Sequence, residues 1–194
     1  YMNQALSMYE ADVRVASIHG YCYPVRQALP DTFFLRGADC WGWATWRRSW
    51  NRFEQDGLKL LKALREQQLT RLFDLGGAYA FSKMLAAQVR GRNDSWAVRW
   101  HASCFLNDML TLYPGRSLVQ NIGTDGTGTH CAASDEYDQS PTESPVRLER
   151  ISLEPSAVAE AAFARFLRGT RKSFIRRAIP FLMRYVRRHN PRQS

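Results

Sequence analysis

The amino-acid sequence predicts a mixed α/β domain, and three observations carry that expectation. Short stretches rich in small, apolar or β-branched residues read as strands at 13–21 ("VRVASIHGY"), 32–37 ("TFFLRG"), 109–114 ("MLTLYP") and 117–123 ("SLVQNIG"). Longer runs whose apolar residues recur every three or four positions read as helices. The two kinds alternate along the chain, the pattern of strands covered by helices.

The elements follow in order. Met2 to Tyr9 has helical spacing, and the strand 13–21 follows it. "YPVRQALPD" holds two Pro and reads as a loop, and "TFFLRG" is a short strand that ends in Gly. "WGWATWRRSWNRF" (41–53) reads as a helix with Trp43, Trp46 and Trp50 at i, i+3 and i+7 on one face. Helices are expected over 58–73 and, past the "GG" break, over 78–90. Another spans 95–108 with Ser95 as its N-cap. "TDGTGTH" (124–130) is a Gly/Thr loop. The acidic, Ser/Pro-rich stretch "SDEYDQSPTESP" makes 133–146 a linker, and 147–194 returns to helical spacing, with Pro180 expected to kink it. In that last segment Phe163, Phe166 and Leu167 form one apolar stripe, and Phe174, Ile175, Ile179, Leu182 and Val186 a second, opposite Arg.

Composition narrows the function classes. At 194 residues, 45% hydrophobic and 12% aromatic, the chain has material for a sizeable core. The net charge of +9 resides in 147–194, which holds 12 Lys+Arg against 3 Asp+Glu, while 1–146 is neutral. A nucleic-acid surface is normally built into the fold, so no nucleic-acid partner is expected. Cys22, Cys40, Cys104 and Cys131 are far apart, without a CxxC pair, which argues against structural zinc. With no leader-like start they read as reduced thiols. No run approaches the ~18–20 apolar residues that span a bilayer. The opening "YMNQALSMYEADVRV" starts directly on a helix, so we expect a piece of a longer protein.

Three stretches could carry chemistry. In "GRNDSWAVRWHAS" (91–103), Asp94 stands before a helix, beside Asn93 and Trp96. It reads either as a helix-capping carboxylate or as a general base that takes a proton from a bound hydroxyl. Indole faces near a carboxylate suit a sugar ring, which presents apolar C–H faces and a polar rim. In "RGADCWGWATW" (36–46), Asp39 could accept sugar hydroxyls and Trp41 or Trp43 could stack, with Gly42 letting backbone approach a ligand. Trp46 and Trp50 read as core. In "NIGTDGTGTHC" (121–131), Gly123, Gly126 and Gly128 make a loop whose amides suit phosphate, with Asp125 within it and His130 at its end. It is neither a Walker loop nor a dinucleotide fingerprint. His130 reads as a surface or structural residue, or as a phosphate or metal contact.

Together "GWATW", "NDSWAVRW", "LTLYPGRSLVQNIG" and "DGTGTH" resemble the C-terminal half of bacterial family 2-like glycosyltransferases of the GT-A fold, the Rossmann-like nucleotide-diphospho-sugar transferases. The order of parts is also similar to the N-acetylglucosaminyltransferase that begins complex N-glycan branching. The resemblance covers 1–132. It implies an inverting, metal-dependent sugar transfer from a nucleotide-diphospho-sugar donor to a glycan or lipid-linked acceptor. It places Asp39, Trp41, Gly42 and Trp43 at the donor sugar, Asp94 as catalytic base, and Gly123 to His130 over the diphosphate. The family holds Mn²⁺ or Mg²⁺ with an Asp-x-Asp or Glu-Asp-Asp motif that this chain lacks; "EADV" (10–13) is not it. The donor-nucleotide half and its metal are therefore expected upstream, and the isolated chain is expected to be inactive. The basic, amphipathic 147–194 implies an anionic membrane partner and a peripheral place at the cytoplasmic face. Its apolar stripe packing on the domain is the other reading. A non-catalytic carbohydrate-binding module, or one that associates with membrane or nucleic acid, is the alternative for the whole chain.

Overall fold

The computed structural model describes residues 1–122 and 135–170. Helix α1 (Met2–Met8) leads into β1 (Val15–His19), then β2 (Thr32–Arg36) and β3 (Trp43–Thr45). Helices α2 (Arg47–Trp50), α3 (Gly57–Glu66), α4 (Thr70–Phe73), α5 (Phe81–Val89) and α6 (Trp96–Leu106) precede β4 (Leu110–Pro114). Residues 157–170 form a final helix, α7. The mixed α/β class is as the sequence predicts.

The four strands make one sheet in the order β2-β4-β1-β3. β1 and β4 run parallel, with Ile18 opposite Leu112, and the two edge strands are antiparallel to their neighbours. Alternation sorts the side chains onto two faces. Ile18, Phe34, Leu110 and Leu112 pack with Ala5 of α1 and with Tyr9 just past its end. Phe33, Leu35 and Tyr113 meet Ala159 and Phe163 of α7. Full burial of side chains such as Phe34 contributes about 1.5–3 kcal/mol each. A separate helical core joins α3, α5 and α6 through Leu61, Leu64, Leu85, Val98 and Ala102.

The connection from β2 to β3 shapes the functional face. β2 ends at Arg36, which pairs with Leu110 at the start of β4, whereas β3 begins at Trp43, opposite His19 at the far end of β1. Residues 37–42 therefore cross the sheet from one edge to the other. Beneath the crossing, Thr111 donates its hydroxyl to the Gly37 carbonyl at 2.8 Å. Its proton is thus committed, so Ser17 is the donor in the buried 2.7 Å contact with Thr111.

Several element boundaries depart from expectation. Residues 41–53 are not one helix. Gly42 has φ +58, and the chain beyond it pairs with β1 as β3 before α2 begins. Trp46 remains extended and joins the α1 side, while Trp43 and Trp50 lie 6.1 Å apart on the α6 side. The run 58–73 divides where Gln68 takes φ +57. Residues 117–123 do not form the expected strand over 117–122; the Ser117 hydroxyl instead binds the Cys22 amide and the Val119 carbonyl. Residues 148–153 lay Leu148, Ile151 and Leu153 against the core, and α7 buries Phe163 and Leu167. Packing of the apolar stripe on the domain therefore holds for 157–170, and the segment after the acidic stretch belongs to the folded unit up to there.

Candidate functional site

The crossing at 37–42 depends on Gly37. It has φ +94, and a Cβ there would lie 2.5 Å from the imidazole of His101. That imidazole projects from α6 and stacks on Phe73, with ring centroids 4.9 Å apart. Its Nδ1 lies 2.9 Å from the Ala38 carbonyl oxygen and 3.2 Å from the Ala38 amide nitrogen. A protonated Nδ1 donates to the first, and an unprotonated Nδ1 accepts from the second, so the ring stays anchored in either tautomer.

Past Ala38 the chain presents Asp39. Its Oδ1 accepts the Cys40 amide at 2.8 Å and lies 3.9 Å from Nε2 of the buried His19. His19 is fixed in one tautomer. Nε2 accepts the Trp41 amide at 2.9 Å, so Nδ1 carries the proton and donates to the Tyr21 carbonyl at 2.8 Å. Burial pushes the His19 pKa down, against the opposing pull of Asp39. Burial also lowers His101 and raises Tyr23 and Tyr113, and the Asp39 charge adds to the rise of the two tyrosines.

Aromatic rings surround this carboxylate. Trp41 meets Tyr21 edge-on at 4.8 Å and Tyr137 at 5.8 Å. The Tyr21 hydroxyl donates to the Tyr137 carbonyl at 2.6 Å, tying the acidic stretch to the site. Asp39, Trp41, Tyr23, His101 and Tyr137 all line a cavity of ≈ 340 Å³ between the crossing and helices α4 to α7. A carboxylate oxygen, imidazole and indole faces converge there, an equipment suited to a small polyhydroxylated ring.

The structure divides the residues expected at the site. Asp39 and Trp41 share the cavity. Gly42 is needed for its positive φ, and a Cβ on it would lie 2.7 Å from the Val119 side chain. Trp43 turns away into a second aromatic cluster with Trp50, Trp96 and Trp100, in which Trp50 and Trp96 are each 40% exposed. Asn93 shapes the turn, donating to the Met84 carbonyl and accepting the Ser95 amide. Ser95 caps α6 through the Val98 amide. Asp94 is exposed at that helix start, outside the cavity wall, while Ala97 in the first turn lines the cavity. Gly123, Asp125, Gly126, Gly128 and His130 lie outside the described residues.

Sequence reasoning missed His19, His101, Tyr23 and Tyr137. His19 carried a signal, an ionisable group in a strand that is otherwise apolar but for Ser17. The others reach the site only through tertiary packing.

Among the described residues no group of three His, Cys, Asp or Glu side chains is placed to hold a metal ion. His19 and Asp39 do not fit one either, because both His19 nitrogens are already hydrogen-bonded. No described helix is long and apolar enough to cross a membrane. In comparison with known proteins, the chain matches no family model, no curated protein and no solved structure.

Proposed function

We propose that this chain is the sugar-handling part of an inverting glycosyltransferase that uses a nucleotide-diphospho-sugar. The observation that carries this reading is Asp39, held on the sheet crossing among Trp41, Tyr23 and Tyr137 beside α6. Asp39 accepts hydrogen bonds from hydroxyls of the bound sugar, and Trp41 covers its C–H face. At the head of α6, Asp94 takes the proton of the acceptor hydroxyl. That oxygen attacks C1 of the donor sugar, the C1–O bond to the diphosphate breaks, and the nucleoside diphosphate departs with the bonding pair. The Gly-rich sequence 123–130 is assigned, from its composition, to the leaving group. Mn²⁺ or Mg²⁺, where required, is supplied by residues outside this chain.

The net-positive 147–194 would hold the protein peripherally on an anionic membrane at its cytoplasmic face. Liposome co-sedimentation tests this, and equal binding to neutral and anionic vesicles counts against it. One observation favours a non-catalytic reading: the exposed indoles of Trp50 and Trp96 form a surface suited to carbohydrate without chemistry. Calorimetry with UDP-sugars separates the two readings. A transferase site recognises the nucleotide sugar, whereas a simple glycan-binding face takes free sugar equally well.

A further inference from the structure

Most of the cavity wall is unsuited to a sugar. Apart from Cys40, Trp41 and the tyrosines, the polar side chains are Asp39 and His101 around the crossing, and elsewhere Arg36, Asp108 and Glu160 reach the wall. Arg36 turns its Nε to Asp108 at 3.3 Å and to the Phe105 carbonyl at 3.1 Å. Between these groups the lining is hydrocarbon or aromatic: Leu72 and Leu75 beside α4, Phe81 and Met84 of α5, and Phe163 and Leu167 of α7. A pyranose pressed against such a wall would lose hydrogen bonds to water with none returned.

We infer that this apolar part of the cavity binds the hydrocarbon chain, acyl or prenyl, of an amphipathic acceptor, beside the sugar held at Asp39. The inference deepens the acceptor side of the proposed function. Size supports it. At ≈ 340 Å³ the whole cavity is about twice the ~150 Å³ apolar cavity that holds benzene, so beside a sugar ring its apolar part has room for roughly the first six carbons of a longer chain. Charge supports it as well. α7 supplies one wall, and in the sequence it is followed by 171–194, which has eight Lys+Arg and no Asp or Glu. That composition complements the anionic headgroups among which such an amphipath resides.

The test is titration of the 194-residue chain with n-dodecyl phosphate and with farnesyl phosphate, each below its micellar concentration, followed by tryptophan fluorescence. The two arms separate acyl from prenyl chains. Butyl phosphate controls for the headgroup. Ala97→Phe fills the cavity, and Leu72→Trp does so from a wall position that is 45% exposed and tolerant of change. Trp50→Ala alters the other aromatic cluster. Saturable binding of at least one long chain, weakened at least tenfold in both filled variants and unchanged in Trp50→Ala, is expected. Absence of binding by both long chains overturns the inference. So does binding that the filled variants leave intact, or butyl phosphate binding equally well. Chain binding with no nucleotide-sugar recognition would keep this inference and remove the transferase reading.

Discussion

The imidazole of His101 occupies the space that a side chain on Gly37 would need, with a Cβ there 2.5 Å from both Cε1 and Nδ1. Gly37 has φ +94, so substitution strains the backbone and drives into the ring together. Gly37→Ala is expected to cost about 2–4 kcal/mol in urea unfolding. Adding His101→Ala should recover part of that loss, because the two residues are in contact and their effects do not add. Equal losses with and without His101 would show that the ring is not the obstacle.

His19 gives the fold an acid limit. Its pKa is lowered from 6.5 by burial, so the unfolded chain binds a proton that the folded chain resists. Its contribution to stability is complete above pH 6.5 and is lost as pH falls toward the folded value. His101, also lowered, acts in the same direction. Between the two pKa values each histidine adds a slope of up to about 1.4 kcal/mol per pH unit. Denaturant midpoints across this range should fall with pH in the native chain. The fall should be shallower in His19→Gln. Stability that rises on acidification would contradict the assignment.

Asp39 has one oxygen on the Cys40 amide, which leaves Oδ2 for a ligand hydroxyl. Asp39→Asn should weaken sugar binding about 10–100-fold, from the ~1.5–3 kcal/mol of a hydrogen bond to a charged group. Trp41→Ala should weaken it as well. Trp46→Ala, on the other side of the sheet, should leave binding unchanged. Calorimetric affinities of the three variants test the assignment.

Adjacent residues at the head of α6 should separate structure from chemistry. Ser95 accepts the Val98 amide, so Ser95→Ala should lower stability by about 1 kcal/mol. Asp94→Asn should leave the melting temperature nearly unchanged and reduce turnover of the transferase about 10²–10⁴-fold. Near-normal turnover in Asp94→Asn would remove its assignment as base.

The elements that were legible in the sequence are those governed by local pattern. α6 was readable because Ser95 and the following apolar periodicity agree, and β2 because "TFFLRG" is apolar and ends in Gly. The segment 41–53 was misread because its tryptophan spacing fits a helix, while the edge of β1 offered Trp43 to Thr45 a strand partner that no local pattern reveals. Asp39 and Trp41, two positions apart in the sequence, do line one cavity. Trp43, grouped with them in the sequence, lies outside the cavity because it packs with Trp50, Trp96 and Trp100 instead. Tyr137 and Phe163 reach the cavity from segments more than ninety residues downstream, by docking that depends on the whole sheet.

Calorimetric titration of a UDP-sugar with Mn²⁺ tests the central claim most directly. It is made on this chain and on a form extended upstream of Tyr1, each native and as Asp39→Asn. The account expects the extended native protein to bind in a metal-dependent way, with affinity at least tenfold weaker in Asp39→Asn. Failure of every form to bind a nucleotide sugar, or binding indifferent to Asp39, would contradict it.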